Sequence, residues 1–168
     1  MKTKEVIEYL DSVFHPEYQE DYDNSGFLLG DSRSEYSGAL VALDLTEAVV
    51  DEAVGLGVSL VATHHPFIFA GVKRITDGSL SGRMAMTLIG NGICVYAAHT
   101  NLDNLPWGVN GILAAKLGLR DTRILKPFAN DADLGAGMVG ELAEAEPCDR
   151  FLARVKQTVG LPMVRTSG

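Results

Sequence analysis

Apolar residues recur at three- and four-residue steps over Thr3 to Phe14, where Val6, Leu10, Val13 and Phe14 share one face, the spacing of a helix that buries one stripe. Thr3 stands where an N-cap belongs, and His15-Pro16 ends the run. Glu20 to Gly26 is acidic and turn-rich, polar enough to line a site, and leads into Phe27-Leu28-Leu29-Gly30. From Gly38 the pattern becomes regular. An apolar run, Ala39 to Leu43, precedes a helical stretch from Thr46 to Leu56 and a second run, Ser59 to Ala62. A helix over Leu80 to Ile89, a third run over Ile93 to Ala98 and helical spacing over Gly108 to Leu117 follow.

Short apolar strands alternating with amphipathic helices need crossover connections, which predicts an α/β fold: a mixed, largely parallel sheet with helices on both faces, in αβα layers. Past Arg120 the pattern predicts strands over Thr122 to Phe128 and Leu134 to Leu142, then a helix over Pro147 to Val159 with Phe151, Leu152, Val155 and Val159 inward. Residues 1–128 read as an N-terminal α/β domain carrying the site, and 129–168 as the start of a second half. Met163-Val164-Arg165 looks like the opening of another strand, the mark of a truncated chain.

In parallel sheets ligands sit beyond the carboxyl ends of the strands. Thr63-His64-His65 follows the second run, and His99-Thr100-Asn101-Leu102-Asp103 the third. Three of the chain's four histidines therefore fall at two predicted strand ends, and neutral imidazole suits Zn, Fe, Ni and other first-row cations. Strand alternation sends His64 and His65 to opposite faces, while Pro66 keeps His65 extended, so the pair could serve two neighbouring ions. Asp103 supplies a carboxylate that could bridge two cations, and His99 a catalytic acid/base or a hydrogen-bond donor behind the ligands. The competing reading makes the histidines strand caps and Asp103 a turn residue, and a His-His pair alone does not decide between the two. Asp44 and Thr46 are open to a similar choice between helix cap and functional pair, with Thr46 favoured as a cap.

Charge and cysteines narrow the class. Acidic residues outnumber basic ones 22 to 14, a net charge of -8, which disfavours nucleic acid and anionic membranes as partners. The apolar runs are strand-sized and the N-terminus lacks a signal-peptide layout, so a cytoplasmic protein is expected. Cys94 and Cys148 have no partner at metal or redox spacing. Gly78-Ser79-Leu80-Ser81-Gly82 lacks the lysine of a phosphate-binding loop.

Asp23-Asn24-Ser25-Gly26-Phe27-Leu28-Leu29-Gly30, Asp44-Leu45-Thr46, Thr63-His64-His65-Pro66-Phe67-Ile68-Phe69, Ala97-Ala98-His99-Thr100-Asn101-Leu102-Asp103 and Gly108-Val109-Asn110 together resemble the Ngg-interacting-factor-three-like family, whose members carry the name GTP cyclohydrolase I type-two homologue. The resemblance covers nearly the whole chain. It implies an α/β fold with a dinuclear metal centre in a homohexamer, and metal ligands at His64, His65 and Asp103, with His99 in the same motif. Tyr22 stands where the family's Trp-Asp-Asn signature has Trp, and that loop is expected to shape the pocket. The family's remaining ligands, a His and a Glu four residues apart, lie in a C-terminal segment, and this sequence has no histidine after His99. The resemblance thus implies an incomplete site and weak metal binding.

The function expected is a dinuclear metal-dependent hydrolase or cyclohydrolase acting on a nucleotide or related small molecule. Its two divalent ions are not distinguishable among Zn, Mn, Fe, Ni and Co, and His99 moves protons. The other class open to the sequence is a non-catalytic metal-binding or regulatory protein-interaction module.

Overall fold

The computed structural model describes residues 1–166, which divide into two compact units, Met1–Leu102 and a second from Asp103 onward. In the first unit, helix α1 (Thr3–Phe14) leads through a single 3₁₀ turn at Pro16–Tyr18 to β1 (Gly26–Leu29). Then come β2 (Ala39–Ala42), α2 (Glu47–Leu56), β3 (Leu60–Thr63), α3 (Leu80–Gly90) and β4 (Cys94–Ala97). The four strands lie in the order β1-β4-β3-β2. β2, β3 and β4 run parallel, and β1 joins the edge antiparallel to β4.

Two-residue alternation in β3 and β4 gives this sheet two buried faces. Val61 and Val95 turn to one face, where Val50 and Ala53 of α2 and Met84, Ala85 and Leu88 of α3 cover them. Leu60, Cys94 and Tyr96 turn to the other, against Ile7 of α1 with Val6, Leu10 and Phe14 around it. The mixed, largely parallel sheet with helices on both faces is therefore the observed architecture. Tyr96 adds a polar tie, donating its hydroxyl to Asp11 at 2.9 Å. Burial pushes the Tyr96 phenol far above its ordinary pKa, and the Asp11 and Glu17 carboxylates add to the effect.

One cap differs from expectation. Lys2 rather than Thr3 is the N-cap of α1, its backbone N–H donating to Glu5 at 2.9 Å, because Thr3 is buried with its own N–H on the Ser34 carbonyl. Thr46 does cap α2, accepting from the Val49 N–H at 3.3 Å.

The second unit holds the last residue of α4 (Thr100–Asp103), α5 (Val109–Lys116), an antiparallel ribbon of β5 (Leu119–Phe128) and β6 (Asp131–Leu142), and α6 (Cys148–Val159). The division falls near residue 103, not at 128/129 as the sequence pattern suggests. Phe128 pairs with Asp131, so a cut at 128 would sever one hairpin. Gly135 bends this ribbon at φ +143°, and a Cβ there would collide with the Lys126 carbonyl oxygen. The inward face expected of α6 is only partly covered: the helix has no buried residue and Val159 is exposed. Leu161 to Thr166 forms no strand, and the remainder of the expected strand lies outside the described residues.

Candidate metal centre

β3 and β4 are adjacent parallel strands, and both end at the same edge of the sheet, where the Ala98 N–H donates to the Thr63 carbonyl at 2.9 Å. His64 and His65 leave β3 there; His99 leaves β4. The strand-alternation argument for His64 and His65 does not hold, because regular structure stops at Thr63. The Thr63 hydroxyl donates to the His65 carbonyl at 2.9 Å, and this curl puts both rings on one side with centroids 4.9 Å apart. His99 completes the cluster, its ring 5.2 Å from His64 and 5.6 Å from His65. One nitrogen from each of the three rings falls within 4.8 Å of the others.

Each ring is anchored through Nδ1. His64 Nδ1 lies 2.8 Å from the Ala98 carbonyl, His65 Nδ1 2.7 Å from an Asp44 carboxylate oxygen, and His99 Nδ1 2.8 Å from an Asp23 carboxylate oxygen. All three partners only accept, so each imidazole donates from Nδ1 and, in its neutral form, presents the Nε2 lone pair. Carboxylates and carbonyls standing behind histidines in this way fix ring tautomer and orientation for a cation. This set of nitrogen donors therefore fits a first-row divalent ion.

The two carboxylate anchors differ in burial. Asp44 and His65 are about half exposed at 54% and 48% of their side chains, whereas the Asp23 side chain has no exposure and His99 only 19%. Asp23 also accepts from the Thr100 backbone at 3.0 Å, the Thr100 hydroxyl, the Asn24 backbone at 2.7 Å and the Ser25 hydroxyl at 2.9 Å. Burial pushes this carboxyl up, but the hydrogen bonds from Thr100, His99, Asn24 and Ser25 together outweigh it and hold the pKa at about 2 against the ordinary 3.8. The loop is pinned further by the Asn24 amide donating to the Ile68 carbonyl at 2.6 Å. Buried Asn101 fixes the start of α4, accepting from the His99 N–H at 2.8 Å and donating to the Phe14 carbonyl at 3.0 Å.

Of the residues that the sequence singles out, His64, His65 and His99 are brought together by the first unit. Asp103, expected as a ligand, is the first residue of the second unit; its backbone carbonyl accepts from Asn110 at 3.0 Å. Two further residues have defined partners in the site, in roles that the sequence left open. Asp23 belongs to the loop expected to line and shape the pocket and Asp44 to a pair open between helix cap and functional role, and both are histidine partners. For Asp44 a signal exists, since it follows the run that forms β2, a strand parallel to β3, as His64 follows β3. For Asp23 there is none, because its approach to His99 is a contact across 76 residues.

Comparison with known proteins gives this site a context. The Duf34/NIF3 (NGG1p interacting factor 3) family pattern matches residues 1–168. The chain belongs to that family. A Clostridium perfringens relative bearing the name "GTP cyclohydrolase 1 type 2 homolog" is 33% identical over 168 residues, all of this chain and 64% of the relative. One of the same name from Streptomyces coelicolor is 37% identical over 93% of this chain and 55% of its own length. The chain thus spans about two thirds or less of these relatives. Among solved structures, a Staphylococcus aureus hypothetical protein superposes with a TM-score of 0.86 at 29% identity, over 98% of this chain and 66% of that one. Reduced HcgD from Methanocaldococcus jannaschii does so with a TM-score of 0.77 at 31% identity, over 94% and 60%. No helix among the described residues is long and apolar enough to cross a membrane.

Proposed function

We propose that the histidine cluster is a divalent-metal site of a hydrolase-type protein, with His64 and His65 as ligands and His99 as the proton-moving group. The supporting observation is the common anchoring of the three rings through Nδ1, with one nitrogen of each within 4.8 Å of the others. A cation held there supplies Lewis acidity toward a water or substrate oxygen.

The protein's own residues divide the remaining work. Ala98 and Asp44 orient the two ligand rings. Asp23, buried and ionised, holds the His99 ring through Nδ1, as a carboxylate does for an acid/base histidine. Two divalent ions per complete site, a homohexameric assembly and a nucleotide or related small-molecule substrate belong to the same proposal, carried by the family. The relatives' shared name favours cyclohydrolase chemistry, and a metal-binding protein without turnover is the reading that remains if none is found.

The decisive experiment is elemental analysis of chelator-free protein dialysed against excess zinc, beside His64→Ala, His65→Ala and His99→Ala variants treated alike. Loss of metal in His64→Ala and His65→Ala, with metal kept in His99→Ala, is the expected result. Loss in His99→Ala as well makes His99 a ligand and removes its acid/base role. A wild-type chain that takes up no more zinc than His64→Ala, at zinc high enough to fill a weak site, sinks the reading.

A further inference from the structure

A second feature adjoins the histidines. After Pro66 the chain runs without regular structure to Ser79, where α3 begins. Phe67 and Ile68 pack on the core at the near end. At the far end the segment is fastened to α3 at Gly82, where a Cβ would collide with the Thr76 carbonyl oxygen; only glycine lets the two backbones meet. Between segment and helix lies a cavity of about 180 Å³, lined by Phe67, Phe69, Val72, Ile75, Gly82 and Ala85 among others. Phe67 and Ser81 also line a more open groove of about 400 Å³ whose other walls include Asp44 and His65. Phe69 stands edge-on to His99 at 6.3 Å between ring centroids.

We propose that this cavity is the subsite for an apolar ring of the ligand whose polar end meets His65 and His99. The proposal rests on reading the histidines as the ligand-handling cluster, and it narrows the substrate of that reading, away from a nucleotide, to a small molecule with one aromatic or saturated carbocycle. Small-molecule sites are mostly apolar walls with a few convergent polar groups, which describes the cavity, the groove and the imidazoles in sequence. Among the described residues its wall carries no charged side chain, so a phosphate has nothing there to meet. An apolar cavity of about 150 Å³ holds benzene, so this one takes a single ring with a short substituent. Phe69, Val72 and Ile75 remain 51%, 49% and 47% exposed on one short segment, apolar surface that such a ring covers. Ala85, 2% exposed, supplies the room by being small.

The test is a methyl-NMR titration of the metal-free chain with toluene. Saturable shifts and intermolecular NOEs at Ala85, Val72 and Ile75 are expected, with at least tenfold weaker binding in Ala85→Leu. Ile75→Ser, on the solvent side, guards against a core variant that fails to fold, and it too should weaken binding. Absence of NOEs to Ala85, or contacts scattered over the surface, overturns the proposal. The link to the histidines is then read on cobalt-loaded protein, where benzohydroxamate should bind about tenfold tighter than acetohydroxamate, the ring being the only difference between them. Equal affinities separate the cavity from the site and overturn it as a substrate pocket. Because toluene binding is measured without metal, a chain that takes up no metal sinks the proposed function while the toluene result still decides whether the cavity accepts a ring.

Discussion

The two units of this chain solve the problem of burying strands differently. In the first, Leu60, Val61 and all of β4 are buried, with helices supplying apolar side chains to both faces. In the second, β5 buries Ile124 and leaves most of its length exposed, and α6 buries nothing. A two-stranded ribbon is marginal on its own, whereas a covered parallel sheet is rigid. The histidines sit on the rigid unit, at strand ends whose direction is set by packing. Rings held through Nδ1 need that support, because a side-chain cluster loosened by an ångström loses its convergence.

This contrast breaks most readily in the cores. Leu88 is fully buried against the sheet, and Leu88→Ala should cost about 3 kcal/mol through lost burial and a residual cavity. Leu125 in the ribbon is 62% exposed, and Leu125→Ala should change stability by less than about 0.5 kcal/mol. Denaturant unfolding measures both. Similar losses would mean that the exposed ribbon is as well packed as the sheet, and the comparison would fail.

A finer contrast lies between two carboxylates in the first unit. Asp23 and Asp31 are both held at about 2, the former against burial by a ring of hydrogen bonds and the latter by exposed Arg33 beside it. For each the folded pKa is below the unfolded value near 3.8, so the stability it confers is present above about pH 4 and is lost as pH falls toward 2. Only Asp23 is shielded from solvent screening. Asp23→Asn should cost on the order of 2 kcal/mol at neutral pH and flatten the acid limb of the stability profile. Asp31→Asn should leave both unchanged within error. Acid titrations followed by circular dichroism decide this, and equal effects would show that burial does not set the strength of these bonds.

Legibility in the sequence follows the same division. The helices and strands of the first unit are readable because their apolar periods are dictated by faces that are buried, as in Val50 and Ala53 or Cys94 to Ala97. The short elements are not: β1 joins the sheet antiparallel through four residues, and α4 is a single turn held by the Asn101 side chain. His64, His65 and His99 are legible from their strand ends. Their mutual placement is not, because it depends on Thr63 curling the chain, and neither is the Asp23 partnership. In the second unit the apolar pattern of α6 predicts an inward face that the described residues cover only in part.

The smallest expected effect tests what holds α6 instead. Arg154 donates to the Leu117 carbonyl and pairs with Glu146 through two nitrogens, at 2.5 and 3.2 Å, and its guanidinium lies 5.1 Å from the Phe151 ring centroid. Its side chain is 35% exposed and that of Glu146 15%, so water and salt screen the pair incompletely. Arg154→Ala should therefore cost about 1 kcal/mol, and part of that loss should vanish in high salt, where the wild-type pair is itself weakened. Amide exchange along α6 reads the effect locally, with faster exchange expected there and none at β4. If exchange at β4 rises equally, the two units unfold together, and the rigidity assigned to the site-bearing sheet is not its own.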